Sequence, residues 1–114
     1  MTGGSFDIRW AEGLPVVGAP AEMDTTNADA LREVLASCLD GGNATMVVDM
    51  TATIFCDSAG MKELVQAHKD ALAAGGEVRL VVGAAPVMRV LALVGADQVL
   101  PIFTELDEAL ADAP

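Results

Sequence analysis

Phe6, Ile8 and Trp10 alternate with Asp7 and Arg9, the two-residue period of a half-buried strand. Glu12-Gly13-Leu14-Pro15 then predicts a turn into a second short strand around Val16 and Val17, so a hairpin opens the chain. Beyond it the period lengthens. Leu31, Val34, Leu35 and Cys38 recur at helical spacing, with Asp24, Thr26 and Asn27 as candidate caps before them and Gly41-Gly42 as a stop. Met46-Val47-Val48 is an unbroken apolar run ending at Asp49, as expected of a strand covered on both faces. Met61, Leu64, Val65, His68 and Leu72 then share one face of a helix, while Lys62, Glu63, Gln66, Lys69 and Asp70 take the other, and Gly75-Gly76 ends it. Val78, Leu80, Val81 and Val82 form a further buried strand. Pro86 suits the first turn of a helix that carries Val87, Val90, Leu91 and Val94 to a stop at Gly95. Residues 99–103 read as a last short strand. Thr104 and Asp107 have the spacing of a capping box, opening a terminal helix through Leu106, Ala109 and Leu110.

The order β-β-α-β-α-β-α-β-α requires right-handed crossovers and mostly parallel pairing. The expectation is a single α/β domain over residues 1–114, with a mixed, mostly parallel sheet, an N-terminal hairpin and about four helices.

Charge and composition remove several function classes. Seventeen acidic against six basic residues leave a formal charge of -11, which repels nucleic acid and anionic lipid and favours a basic protein partner. With three Phe, one Trp and no Tyr, the core must be aliphatic, and stacking platforms for bases are absent. Arg79, Arg89 and Asp97 break the most apolar region before it reaches the roughly 20 residues of a membrane span. Residues 1–5 carry neither the basic nor the apolar region of a signal peptide, so the expected location is cytoplasmic, without direct membrane insertion. Cys38 and Cys56 are too few and too irregular for a disulfide scaffold, and with one His they give no zinc-like spacing. They are either buried free thiols or a redox pair. No metal and no cofactor is expected.

The chemistry concentrates at Asp57-Ser58-Ala59-Gly60, where a strand gives way to a helix. In an open α/β sheet such turns at the carboxyl ends of strands carry ligands and reactive groups. Asp57 or Ser58 can simply cap the helix, while Gly60 allows another segment to approach. Ser58 can also accept a phosphoryl group, whose charge would meet the helix dipole and unpaired N–H groups. Asp49 suggests a rival, a phosphoaspartyl protein. A haloacid-dehalogenase-like phosphatase needs a second acid where Thr51 stands. A receiver domain needs an acidic pair at Trp10-Ala11 and a lysine near Pro101-Ile102, so Asp49 reads better as a polar strand end. His68 follows Ser58 by ten residues, about 15 Å along a helix, which rules out a Ser-His hydrogen bond. His68 is expected to be packed, and the six methionines to be core or interface filler. No complete set of nucleophile, base and oxyanion donors is found, and no enzyme is expected.

Asp57-Ser58-Ala59-Gly60, lying between MVVDMTATIFC and MKELVQAHKDALAAGGEVRLV, resembles the signature of STAS domains, specifically the bacterial anti-sigma-factor antagonists. Glu22-Met23-Asp24 is similar to that family's Gly-Glu-aliphatic-Asp element, with Ala21 in place of the Gly, and Ala59 stands where many members have a second Ser or Thr. The resemblance spans essentially the whole chain. It implies a partner switch: an anti-sigma factor with serine-kinase activity binds the unmodified chain, releases sigma and phosphorylates Ser58, and a PP2C-type phosphatase resets it. It also implies that Asp57 orients Ser58, with Ala59, Gly60 and Met61 in the docking face and Glu22 and Asp24 nearby. Thr51, Thr53 and Ser37 are competing phosphoacceptors. The alternative is a non-phosphorylated STAS subunit of a transporter or other regulatory complex. Self-association through the apolar edge at residues 6–10 is a further expectation.

Overall fold

A computed structural model describes residues 6–111; the reading of residues 1–5 falls outside them. Strands β1 (Asp7–Ala11) and β2 (Leu14–Gly18) pair antiparallel. The turn between them consists of Glu12 at φ 54° and Gly13 at φ 79° alone, so Leu14 and Pro15 belong to the strand and not to the turn. Two successive left-handed residues match the twist of a hairpin.

The main sheet runs β1-β2-β4-β6-β7, with β4 at Met46–Met50, β6 at Val78–Val82 and β7 at Ile102–Phe103. Every pairing after the hairpin is parallel. Because the order advances steadily in one direction, right-handed crossovers place α1 (Ala28–Asp40), α2 (Ser58–Ala73) and α3 (Ala85–Leu93) on the same face. Met46, Val48, Leu80 and Val82 point into that face, against Leu31, Leu35, Leu64 and Leu91. The alternate residues Val16, Val47 and Val81 point to the other face, covered by α4 (Leu106–Ala111) through Ala109 and Leu110. The buried aliphatic side chains thus form two unequal layers, which is why β2, β4 and β6 read as continuous apolar runs.

Several expectations fail at the margins. β1 has no buried face: Ile8 (40% exposed) and Trp10 (61%) lie opposite Val17 and Pro15, on the three-helix side of the sheet but at its edge and beyond the helices. Leu72 and Val94 are exposed, and Ala71 and Ala96 take the core positions instead. Residues 99–103 are not one strand. A 3-10 turn at Ala96–Gln98 leads into exposed Val99 and buried Leu100, and only Ile102–Phe103 pairs. Thr104 does not form a capping box with Asp107; its hydroxyl faces Glu108 at 3.4 Å, on a helix that starts one residue later than the box requires.

Two buried polar groups tie the layers together. Arg79 (4% exposed) donates through Nε to Glu77 at 2.8 Å and through Nη1 to the Ala109 carbonyl at 2.8 Å, holding α4 against β6. His68, packed as expected, accepts the Val78 N–H on Nδ1 at 3.1 Å, while its other nitrogen donates to the Val99 backbone. Burial lowers its pKa, against an opposing pull from Glu77. The folded chain therefore resists protonating His68, whereas the unfolded chain takes a proton near the ordinary value of 6.5. Stability is fully retained above that pH and falls as pH drops below it, by at most about 1.4 kcal/mol per pH unit. Urea unfolding at pH 7.5 and 5.5 should show that loss, and His68→Gln should flatten it; an unchanged slope would remove His68 as its source.

Candidate functional site

A second, two-stranded sheet builds the site. Strands β3 (Glu22–Met23) and β5 (Phe55–Cys56) pair in parallel, Glu22 with Phe55 and Met23 with Cys56. These short strands were not expected from the sequence, because two residues are too few to show a period. The Ile54 N–H donates to the Ala21 carbonyl at 2.8 Å, and the Asp57 N–H to the Met23 carbonyl at 3.0 Å. Asn27 closes the other side, donating through Nδ2 to the Glu22 carbonyl at 2.8 Å and accepting the Asp24 N–H at 3.0 Å. It occupies the N-cap position of α1, but its side chain turns back to β3 instead of capping the helix.

The chain leaves β5 through Asp57, an extended N-cap whose carboxylate accepts the Ala59 N–H at 2.9 Å and the Gly60 N–H at 3.2 Å. An arrangement of this kind contributes about 1 kcal/mol to a helix. Ser58 follows as the first residue of α2; its side chain is exposed, and its hydroxyl has no hydrogen-bond partner among the described residues. Because Asp57 already engages two of the first-turn amides, a phosphate on Ser58 would find fewer free N–H groups than the sequence suggested. The helix dipole would still favour it, and the Asp57 charge would oppose it.

Gly60 and Met61 are buried. A Cβ on Gly60 would lie 3.0 Å from Cys56 Sγ and 3.3 Å from Met23 Cβ, so the glycine lets α2 approach the small sheet. Met61 is 3% exposed and sits in the main core. The inward face of α2 needs both, and Met61 also lines the hollow that runs from Ser58 along the helix. Glu22 and Ser58 are exposed, and Asp24, Asp57 and Ala59 are partly so. Asp24 is held by the Thr26 hydroxyl and N–H, which keep its carboxyl below the usual range.

Sequence reasoning missed Ile54 (62% exposed) and Phe55 (50%), the two apolar side chains just before the site. Their signal was an Ile-Phe pair without alternation in a segment too short to be a core strand.

Of the competing groups, Thr51, Thr53 and Asp49 are occupied. Thr53 is fully buried and donates to the Pro20 carbonyl at 2.8 Å. Asp49 accepts the Thr51 N–H and hydroxyl at 3.1 and 2.8 Å and pairs with Arg9 at 2.9 Å. Partial burial works against its ionisation, but these donors outweigh it and hold the carboxyl low. Thr51 and Ser37 are exposed. Cys38 and Cys56 are buried free thiols; desolvation raises both, Cys56 to about 12 with help from Asp57, so neither supplies a thiolate near neutral pH. Among the described residues no group of three metal-ligating side chains comes together, and no helix is long and apolar enough to cross a membrane.

The family model of the STAS domain matches residues 5–109. The chain belongs to the STAS domain family. No curated protein matches it. Its structure is similar to an anti-sigma factor antagonist from Mycobacterium paratuberculosis, with TM-score 0.85 and 25% identity over 94% of this chain and 91% of that one. It shares its fold with the phosphorylated form of SpoIIAA, a Bacillus cell fate determinant, with TM-score 0.71 and 18% identity over 94% and 97% of the two chains. The murine anion transporter Slc26a9 contains the same fold, with TM-score 0.71 and 22% identity over 90% of this chain and 18% of that one. The STAS fold therefore occurs both as a free-standing regulator and as part of a transporter, and the site residues must decide between them.

Proposed function

We propose that this STAS domain is an anti-sigma-factor antagonist, switched off by phosphorylation of Ser58. The observation that carries the proposal is the exposed, unbonded Ser58 hydroxyl on the first turn of α2, directly after an Asp cap. The likeness to the mycobacterial antagonist over nearly the full length of both chains supports it. In this reading the chain is the substrate of a kinase and not itself an enzyme, and it works in the cytoplasm.

The partner is an anti-sigma factor with serine-kinase activity. It grips the unmodified surface formed by Glu22, Asp24, Asp57, Ser58 and Ala59, with Ile54 and Phe55 supplying apolar contact. The carboxylates on the small sheet suit a basic patch on that kinase. While bound, the kinase releases sigma; it then transfers the γ-phosphoryl of its ATP to the Ser58 oxygen, breaking the bond to the bridging oxygen so that ADP leaves, and the hydroxyl proton goes to solvent or base. The resulting charge of about -1.5 to -2 beside Asp57 repels the kinase without requiring the fold to change. A PP2C-type phosphatase removes the phosphate.

The test is phosphate mapping by mass spectrometry after incubation with the cognate kinase and ATP. Modification at Ser58 supports the proposal. Modification confined to Thr51 or Ser37 overturns it, and an unmodified chain that purifies with a transporter establishes the alternative role as a transporter subunit.

A further inference from the structure

Beyond Ser58, the solvent side of α2 borders a groove of about 390 Å³. One wall carries Lys62, Val65, Gln66 and Lys69, and the other Val94 and Ala96, from the turn after α3. Lys62 and Lys69 are the only lysines in a chain of net charge -11. Both are exposed, and neither has a carboxylate partner among the described residues, whereas Arg9, Arg32 and Arg79 each have one. Two acids on α2 are engaged elsewhere. Glu63 lies 3.6 Å from Arg32 on α1, and Asp70 accepts from Gln66 at 3.1 Å. Apolar surface continues along the rim, where Val94 is 55% and Leu93 79% exposed.

Unpaired cations facing an apolar trough complement a ligand that is both acidic and apolar. We infer that this groove docks an acidic amphipathic peptide segment of a partner protein, its apolar side chains over Val65 and Val94 and its carboxylates on Lys62 and Lys69. The two lysines are seven residues apart on one helix, about 10 Å along its axis, so the segment must present two acids at that spacing. A short peptide meets the groove locally, because charges more than about 8 Å from it are screened at physiological salt. An anionic membrane would face the whole acidic chain and be repelled.

The inference rests on the switch at Ser58 and gives it a second contact. Ser58 stands at the groove's mouth, four residues before Lys62 on the same helix. A phosphoryl group there would repel the segment's carboxylates and compete for Lys62. The partner would thus meet an acidic corner on one side of Ser58 and a basic groove on the other.

The test is an NMR titration of the unmodified ¹⁵N-labelled chain. The probe is an amphipathic peptide of about 14 residues, roughly four turns, with leucines on one face and two glutamates two turns apart. Its control carries lysines in place of the glutamates. The acidic peptide should shift the amides of Lys62, Val65, Lys69 and Val94. A Lys62→Glu/Lys69→Glu variant with unchanged circular dichroism should bind it about tenfold or more weakly. Equal binding of the basic control, shifts confined to other residues, or no shifts at all would overturn the inference. So would phosphatidylglycerol vesicles producing the same shifts where the peptide produces none. The two readings fail separately: a silent titration with Ser58 still labelled by the kinase removes only the groove, and a bound peptide with Ser58 never labelled removes only the switch.

Discussion

Replacing Ser58 by alanine abolishes phosphate labelling by the cognate kinase and leaves kinase binding close to that of the unmodified chain. Replacing it by aspartate weakens binding by about tenfold or more, equivalent to about 1.4 kcal/mol. The asymmetry follows from the geometry. The Ser58 hydroxyl makes no bond within the described chain, so its removal disturbs neither the cap, which belongs to Asp57, nor the packing, which belongs to Gly60 and Met61. A carboxylate at the same place adds charge next to Asp57, in the surface that must meet the partner. Because aspartate carries less charge than a phosphoserine, the phosphorylated chain should bind more weakly still. Calorimetric titration of the three forms against the kinase checks the series, and equal affinities would refute the switch.

Gly76→Ala should cost about 2–3 kcal/mol, more than Gly75→Ala, although Gly75 has the unusual backbone. A Cβ on Gly76 would fall 2.3 Å from both the carbonyl carbon and oxygen of Ala44, which are main-chain atoms and cannot rotate away. The turn from α2 into β6 would have to separate from the turn before β4. At Gly75 (φ 92°) a Cβ meets nothing within 4 Å, leaving only the backbone strain of about 1 kcal/mol. Thermal unfolding followed by far-ultraviolet circular dichroism should show Gly76→Ala melting about 10 °C or more below the parent. A larger loss at Gly75 would contradict the close approach.

The sheet was legible in the chain because β2, β4 and β6 are covered on both faces, and such strands announce themselves as apolar runs ending in Gly18, Asp49 and Gly83. The helices were legible through the spacing of Leu31 with Leu35 and of Leu64 with His68. The site was legible only as a motif. Asp57 and Ser58 stood out as an acid and a hydroxyl at a helix start, but the sheet that positions them consists of two residue pairs, below the length at which any period exists. Burial around the helix was harder still: Leu72 lies on the predicted apolar stripe yet faces solvent, while the smaller Ala71 fits the tight space against the sheet. Arg79 interrupts an apolar run in the sequence, yet its guanidinium satisfies a helix carbonyl from inside the fold. Where packing depends on partners distant in sequence, local pattern carries no information about it.

Trp10 lies at the outer edge of the sheet, 61% exposed, and is the only indole in a chain without tyrosine. Its emission should already report water in the native protein, so intrinsic fluorescence should change little on denaturation. The same placement gives the indole a different use: any strand that pairs along β1, from a second copy or another protein, would shield it and move its spectrum to the blue.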